Sequence, residues 1–303
     1  MTDTRHPGFL TPERHQRGED AASIIYPVVS RRARGLSLGI NLFPDSKHCT
    51  YNCPYCEVQP FSNPHARLSE GMIEAALREF FDKDWPAYAK SFALKDISIS
   101  GNGEPTCSPF LEEALYAAAK VLSEQVSLDA KLFHVPIVLI TNSTGFLSPQ
   151  ICELLHRFSQ EACFEIWAKL DGGTSELHSI LSGSNYEFDR IVGDIAHFAA
   201  ITPVKIQTMI CRDACSGRVL FDAERYCGAL MSLIGQGARI NAIQLYTTAR
   251  PPAEPWIASI DDIEMAMLAS IVRRCLPSEI RLECFGRSGE LSIPNSGQEQ
   301  WPK

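Results

Sequence analysis

The chain has 303 residues, 45% of them hydrophobic and 21% charged, a globular composition with enough apolar content for a sizeable core. Its formal net charge of −8 argues against a non-specific nucleic-acid binder, although a local basic patch is compatible with it. No apolar run approaches the about 18 residues of a membrane span, and the polar start "MTDTRHPGFLTPERHQRGED" has no apolar signal core, so a cytoplasmic protein without membrane association is expected. In that compartment the 11 cysteines should stay reduced, and a tight group of them reads as a metal or redox site before a disulfide.

In chain order, residues 1–25 read as a polar, flexible lead. "SLGINLF" (37–43) predicts a strand, and the cysteine loop follows it. "MIEAALREFF" (72–81) places Met72, Ile73, Ala76, Leu77 and Phe80 on one helical face. "DISIS" (96–100) predicts a strand that ends at a glycine turn, and 110–126 a helix. "PIVLIT" (136–141) reads as a buried strand, followed by a helix over 148–158 with Ser148 as N-cap and Pro149 in its first turn. Strands are expected at 163–170, 204–210 and 240–246, with a helix near 219–234 between the last two. A further helix near 260–275 opens with Ser259 and Asp262 in capping-box spacing, and "IRLECF" (280–285) gives a short last strand. Strands alternating with helices predict a parallel sheet covered by helices, either doubly wound or a partial barrel. In both, chemistry sits at the C-terminal ends of the strands.

Cys49, Cys53 and Cys56 lie within eight residues just after the first of these strands. Thiolates are soft ligands that suit zinc or iron–sulfur clusters. A structural zinc ion normally takes four protein ligands. Three cysteines on a cubane 4Fe–4S cluster leave one iron open to a small molecule.

C-x3-C-x2-C with an aromatic residue, Tyr55, before its last cysteine resembles the loop of the radical S-adenosylmethionine (radical SAM) enzymes. The resemblance implies a partial (βα)6 TIM-like barrel over 26–285, with an N-terminal arm and a short C-terminal extension at 286–303. It implies that Cys49, Cys53 and Cys56 hold a 4Fe–4S cluster whose open iron is chelated by the methionine part of SAM. One-electron cleavage of SAM then yields a 5′-deoxyadenosyl radical that abstracts hydrogen from a substrate. An external electron donor of flavodoxin or ferredoxin type is implied, and Tyr55 is placed near the adenine.

Further motifs fall where such a site needs them. In "SISGNGEPT" (98–106) two glycines permit close backbone approach, and Glu104 offers a carboxylate to a ligand ammonium; a tight turn ending the strand is the plainer reading. The resemblance assigns Gly103 and Glu104 to the SAM amino group, with Asn102 departing from the family's glycine. "VLITNSTGF" (138–146) ends a strand on Thr141 and Asn142, polar groups suited to a ribose or carboxylate or to an ordinary turn. In "WAKLDGG" (167–173) Lys169 stands where the family often has a serine, able to pair with the SAM carboxylate or with a neighbouring acid.

The segments 26–44, "SGNGEPT" and "QLYTTARPPAEP" (244–255) resemble one branch of the superfamily, iron–sulfur oxidoreductases related to wyosine-forming tRNA enzymes. Arg31 and Arg32 match a paired arginine of that branch, for anion recognition or a structural ion pair. The branch implies a tRNA base as substrate, with a peptide or small metabolite as alternatives. Cys211, Cys215 and Cys227 suggest an auxiliary cluster, whereas Cys152, Cys163, Cys227, Cys275 and Cys284 fit core positions. Gln207 and Gln244 are either cavity-lining or satisfied core amides. The rival of a different class is a non-catalytic zinc or electron-transfer protein using the same three-cysteine loop.

Overall fold

In the computed structural model, which describes residues 22–293, the alternating apolar segments become strands of a sheet flanked by helices. Most of the expected N-terminal lead, and 294–303 of the tail, lie outside the described residues. Strands β1 (Ile25–Ser30) and β2 (Gly35–Asn41) form an antiparallel hairpin from Ile25↔Ile40 to Ser30↔Gly35. The sequence pattern leaves β1 unassigned because Pro27 interrupts it; β1 is the sheet's edge strand, where a missing N–H is tolerated. Arg31 and Arg32 sit half-buried in the hairpin turn.

Helix α1 (Met72–Glu79) buries Ile73 and Leu77, but Met72 is exposed and Ala76 only half-buried, so the expected apolar face is narrower. The helix widens into a π turn at Phe80–Asp84 before a last turn at Trp85–Tyr88. Pro86 explains the break, since it has no N–H to donate and its ring crowds the preceding turn.

The succession continues with β3 (Leu94–Ser100), α2 (Leu111–Leu128), β4 (Ile137–Thr141), α3 (Pro149–Glu161) and β5 (Phe164–Lys169). Ser148 caps α3 as expected, accepting from Ile151 N at 3.4 Å. Then come α4 (Ser175–Ser182), α5 (Phe188–Ala199), β6 (Val204–Met209), the short β7 (Cys211–Asp213), α6 (Ala223–Gly235) and β8 (Ile240–Tyr246). The short β9 (Ile257–Ser259), α7 (Asp262–Cys275) and β10 (Arg281–Phe285) complete the order. The cap of α7 is Asp261, whose Oδ1 accepts from Glu264 N at 2.9 Å. Ser259, the expected cap, instead pairs with Cys211 in the β7–β9 ribbon.

The eight longer strands follow the order β1-β2-β3-β4-β5-β6-β8-β10, parallel from β2 onward wherever register is given. Six β-strands, each followed by helix, give the α/β architecture of a partial (βα)6 barrel, with β10 as a seventh parallel strand. Among the described residues no helix is long and apolar enough to cross a membrane.

Contacts divide the chain into two compact units. The first holds residues up to Thr50, Val58–Thr141 and Ser148–Ile166; the second holds Tyr51–Glu57, Asn142–Leu147 and the chain from Trp167. In the first, Ile97 and Ile99 are fully buried on one face of β3, while Asp96, Ser98 and Ser100 alternate with them. Ser37 Oγ donates to Asp96 Oδ1 and lies 3.1 Å from Ser98 Oγ, and Tyr26 OH is 2.7 Å from Ser100 Oγ. In the second, Lys169, Gln207, Gln244 and Glu283 occupy one register row across β5, β6, β8 and β10. Gln207 Nε2 donates to Gln244 Oε1 at 2.5 Å, and Gln244 Nε2 to Glu283 Oε2 at 2.8 Å, so both amides are satisfied core groups.

Candidate functional site

In the first unit the chain leaving β2 runs beside the turn after β3. His48 N donates to Asn102 O at 3.1 Å, Glu104 N donates to His48 O at 2.9 Å, and His48 and Gly103 form a parallel bridge. The approach requires glycine, because a Cβ on Gly103 would overlap the His48 carbonyl. Asn102, the departure from the family pattern, locks this turn. Its N–H donates to Asn41 Oδ1 at 3.1 Å and its Nδ2 to Phe43 O at 3.0 Å. Cys49, next to His48, is exposed.

Glu104 is buried at the head of this turn. Its Oε1 accepts from Thr141 Oγ1 at 2.7 Å, Thr106 Oγ1 at 2.7 Å and Thr106 N at 3.2 Å. Thr141, at the end of β4, is therefore an orienting group for that carboxylate. Burial, then the charge of Glu104, pushes the Cys107 thiol up, so it stays protonated at neutral pH.

In the second unit Cys53 and Cys56 close a tight turn, with Cys56 N donating to Cys53 O at 3.0 Å. Tyr55 lies in this turn and is buried among Leu177, Leu181, Met209, Cys211, Leu220 and Ile257. Its OH donates to Asp171 Oδ2. Lys169 Nζ lies 3.3 Å from the same oxygen, donates to Tyr246 OH at 2.7 Å and sits 4.9 Å from the Tyr55 ring centroid. Met209 N donates to Asp171 Oδ1 at 2.8 Å. Asp171 thus gathers a phenol, an ammonium and an amide at the strand ends. The neighbouring-acid reading of Lys169 is present in this geometry, and an ammonium with three donors keeps one for a further acceptor.

These surroundings fix the charges. Burial opposes the Lys169 charge, but Asp171 and Tyr246 outweigh it and its pKa is raised. Burial, then Asp171, holds the Tyr55 phenol well above its usual range. Burial pushes Cys53 up to about 12, against the Tyr55 hydrogen bond and Lys169. The thiolate at Cys53 therefore needs a bound cation to form at neutral pH.

Asn142 caps its own loop, its Oδ1 accepting from Thr144 N at 3.1 Å and Thr144 Oγ1 at 2.8 Å. Ser143, with φ 74, donates Oγ to Lys169 O at 3.0 Å and so ties the 142–147 loop to the end of β5. Helix α4 supports the cysteine turn. Asn52 N donates to Ser182 O at 2.7 Å, and Gly183, with φ 57, brings its backbone against Asn52.

Of the other cysteines, Cys211 is buried in the Tyr55 cluster, Cys215 is exposed, and Cys227 on α6 interacts with Cys275 on α7. The three suggested auxiliary ligands thus have separate surroundings. Cys163, expected in the core, is exposed just ahead of β5, while Cys227 and Cys284 are buried.

The donor set fits an iron–sulfur cluster by its chemistry: three thiols in one loop, with Cys49 exposed and Cys53 and Cys56 half-buried. Among the described residues no three His, Cys, Asp or Glu side chains are grouped to hold a single metal ion. A cubane places each thiolate on a separate iron and does not need them to converge on one point.

Asp171 stands two positions after Lys169, where the resemblance expects an aspartate, and Tyr246 and residues 250–255 lie in the resembling segment "QLYTTARPPAEP"; the sequence marks each of them without showing that Tyr55 and Lys169 meet on Asp171 or what the segment touches.

No protein-family model matches the chain. It is 22% identical over 273 residues to a Brachyspira hyodysenteriae protein named GTPase Obg, covering 87% of this chain and 35% of that protein. It is 30% identical over 145 residues to a Helicobacter pylori UPF0026 protein, covering 46% of this chain and 41% of that one. The chain therefore spans well under half the length of these curated relatives.

Among solved structures, a radical SAM methyltransferase from Sphaerobacter thermophilus superposes with a TM-score of 0.53 at 16% identity, over 82% of this chain and 66% of that one. TYW1 with a lysine–pyruvate adduct bound gives a TM-score of 0.48 at 14% identity, over 90% of this chain and 81% of that one. The fold of this chain is thus one found in a radical SAM enzyme.

Proposed function

We propose that the chain is a radical SAM enzyme in which Cys49, Cys53 and Cys56 hold a 4Fe–4S cluster. In this reading Gly103, Glu104, Thr141, Asn142 and Lys169 contribute to the SAM site. The observation that carries it is the backbone bridge between His48 and Gly103, by which the Glu104 amide meets the carbonyl of the residue before Cys49. When bound, the cluster and SAM supply reductive cleavage of a sulfonium and hydrogen abstraction from a substrate.

The chain's own groups have separable tasks. Glu104, oriented by Thr141 and Thr106, accepts from the ligand ammonium. Lys169, held cationic by Asp171, uses its remaining donor on a carboxylate or ribose oxygen. Tyr55 anchors the cysteine turn through Asp171, and in this reading its ring also lies near the adenine. Tyr55 and Asp171 are themselves buried, which keeps water from the contact between them. A one-electron donor of flavodoxin or ferredoxin type and a tRNA base as substrate complete the reading, with a peptide or metabolite as the other substrate classes.

The test is anaerobic reconstitution with iron and sulfide followed by dithionite and SAM. The expected result is a brown protein that releases 5′-deoxyadenosine, with release abolished in Cys53→Ala. A colourless protein holding zinc supports the metal-protein rival. A cluster that forms without any SAM cleavage supports an electron carrier.

A further inference from the structure

The turn from Cys53 to Cys56 has an outer boundary that the proposed function does not use. It is formed by the segment after β8. Ala253 N donates to Cys56 O at 2.7 Å, and Glu254 N donates to Pro54 O at 3.1 Å. Two adjacent amides thus satisfy two carbonyls of the turn.

The segment is anchored beyond these contacts. Trp256 packs with Cys53 and Tyr246 against the Tyr55 cluster, and its carbonyl accepts from Ala214 N at 2.7 Å. Strand β9 follows directly and pairs with β7. Pro251, Pro252 and Pro255 fix φ at three of its positions, so little backbone entropy is lost in ordering it.

Arg250 opens the segment. Its Nε lies 2.8 Å from Glu57 Oε2, off the N–H axis, so the contact is an ion pair and not an aligned hydrogen bond. The Arg250 side chain is only 18% exposed, and Nη1 is buried with no hydrogen-bond partner among the described residues. Glu57 directly follows Cys56.

We infer that residues 250–256 form a strap that positions the Cys53–Cys56 turn, and that the Arg250–Glu57 pair sets the electrostatic potential at the group the turn holds. The inference deepens the function proposed above and rests on it for the identity of that group. Arg250 and Glu57 are positioning residues: they act on the turn and its charge, not on a substrate.

The pair predicts shifts of opposite sign. In reconstituted Arg250→Gln, Glu57 is left as a lone negative charge, an added electron is disfavoured and the cluster's midpoint potential falls. In Glu57→Gln the guanidinium is left alone and the potential rises. The double variant lies between them, and Arg250→Lys, which keeps the charge, stays near the parent. A redox titration followed by electron paramagnetic resonance reads all four. Shifts of the same sign, or none, overturn the electrostatic role.

The strap is tested without any cluster, by hydrogen exchange of the amides at residues 55–58 in the metal-free chain. Exchange is expected to rise severalfold in Arg250→Gln while the melting temperature stays near that of the parent. Unchanged exchange there overturns the strap. A parent that takes up no cluster defeats the function reading, and the exchange measurement still decides the strap.

Discussion

Glu104 in the first unit and Asp171 in the second are both buried carboxylates just past the end of a parallel strand, yet they are held differently. Glu104 Oε1 accepts from the hydroxyls of Thr141 and Thr106 and from one amide, donors that set the direction of its carboxylate. Asp171 faces the Lys169 ammonium, the Tyr55 phenol and the Met209 amide, so its charge is balanced where it stands. A carboxylate oriented by hydroxyls suits an arriving cation. A carboxylate that shares an oxygen with a buried lysine suits architecture, here the tethering of the cysteine turn to β5 and β6.

That contrast breaks most visibly at Asp171. Asp171→Asn keeps an acceptor for Tyr55 but strands the buried Lys169 ammonium. The expected cost is roughly 3–5 kcal/mol, the range for removing one partner of a buried ion pair. Chemical denaturation of Asp171→Asn, Lys169→Met and the double variant measures it. The double variant should recover most of the loss, because it removes both charges together. If the single variants are as stable as the parent, Asp171 is not the structural hub.

At Glu104 the expected effect is smaller and falls more on ligand binding than on folding. Thr141→Val keeps the side chain's shape and removes one of the hydroxyl donors that orient the Glu104 carboxylate, while the Thr106 hydroxyl and amide still hold it. Calorimetric titration of SAM into the reconstituted protein should show weaker affinity with a melting temperature little changed. A variant that loses stability and keeps its SAM affinity would place Thr141 with the scaffold.

The two carboxylates also differ in how legible they were. Glu104 lies in a short local motif after a strand whose Ile97 and Ile99 alternate with polar residues, and the pattern sufficed to place it. The Tyr55–Asp171 contact joins positions 116 residues apart, and Lys169–Tyr246 joins positions 77 apart. No periodicity carries such pairings; they follow from strand order. The same holds for the strap, whose proline-rich sequence shows stiffness but not its target. Local signals also misled where tertiary structure prevailed. Ser259 has the chemistry of a cap but is drawn into β9, leaving the role to Asp261. Met72 has the spacing of a core residue but stands at the first position of its helix, where it is exposed.

The smallest expected effect concerns His178, on the helix that supports the cysteine turn. It is buried beside Tyr51 and Phe188, and both ring nitrogens are without a hydrogen-bond partner among the described residues. Burial pushes its pKa below the usual 6.5, against the charge of Asp171 and a backbone contact to that residue. With the folded value depressed for a base, the unfolded chain binds more protons below 6.5 than the folded chain does, so stability falls as pH falls through and below that value. His178→Phe removes the term while keeping an aromatic ring against Tyr51 and Phe188. Melting temperatures measured from pH 7.5 to 5 should therefore decline less steeply in the variant. Parallel declines would mean that His178 does not set the acid limb.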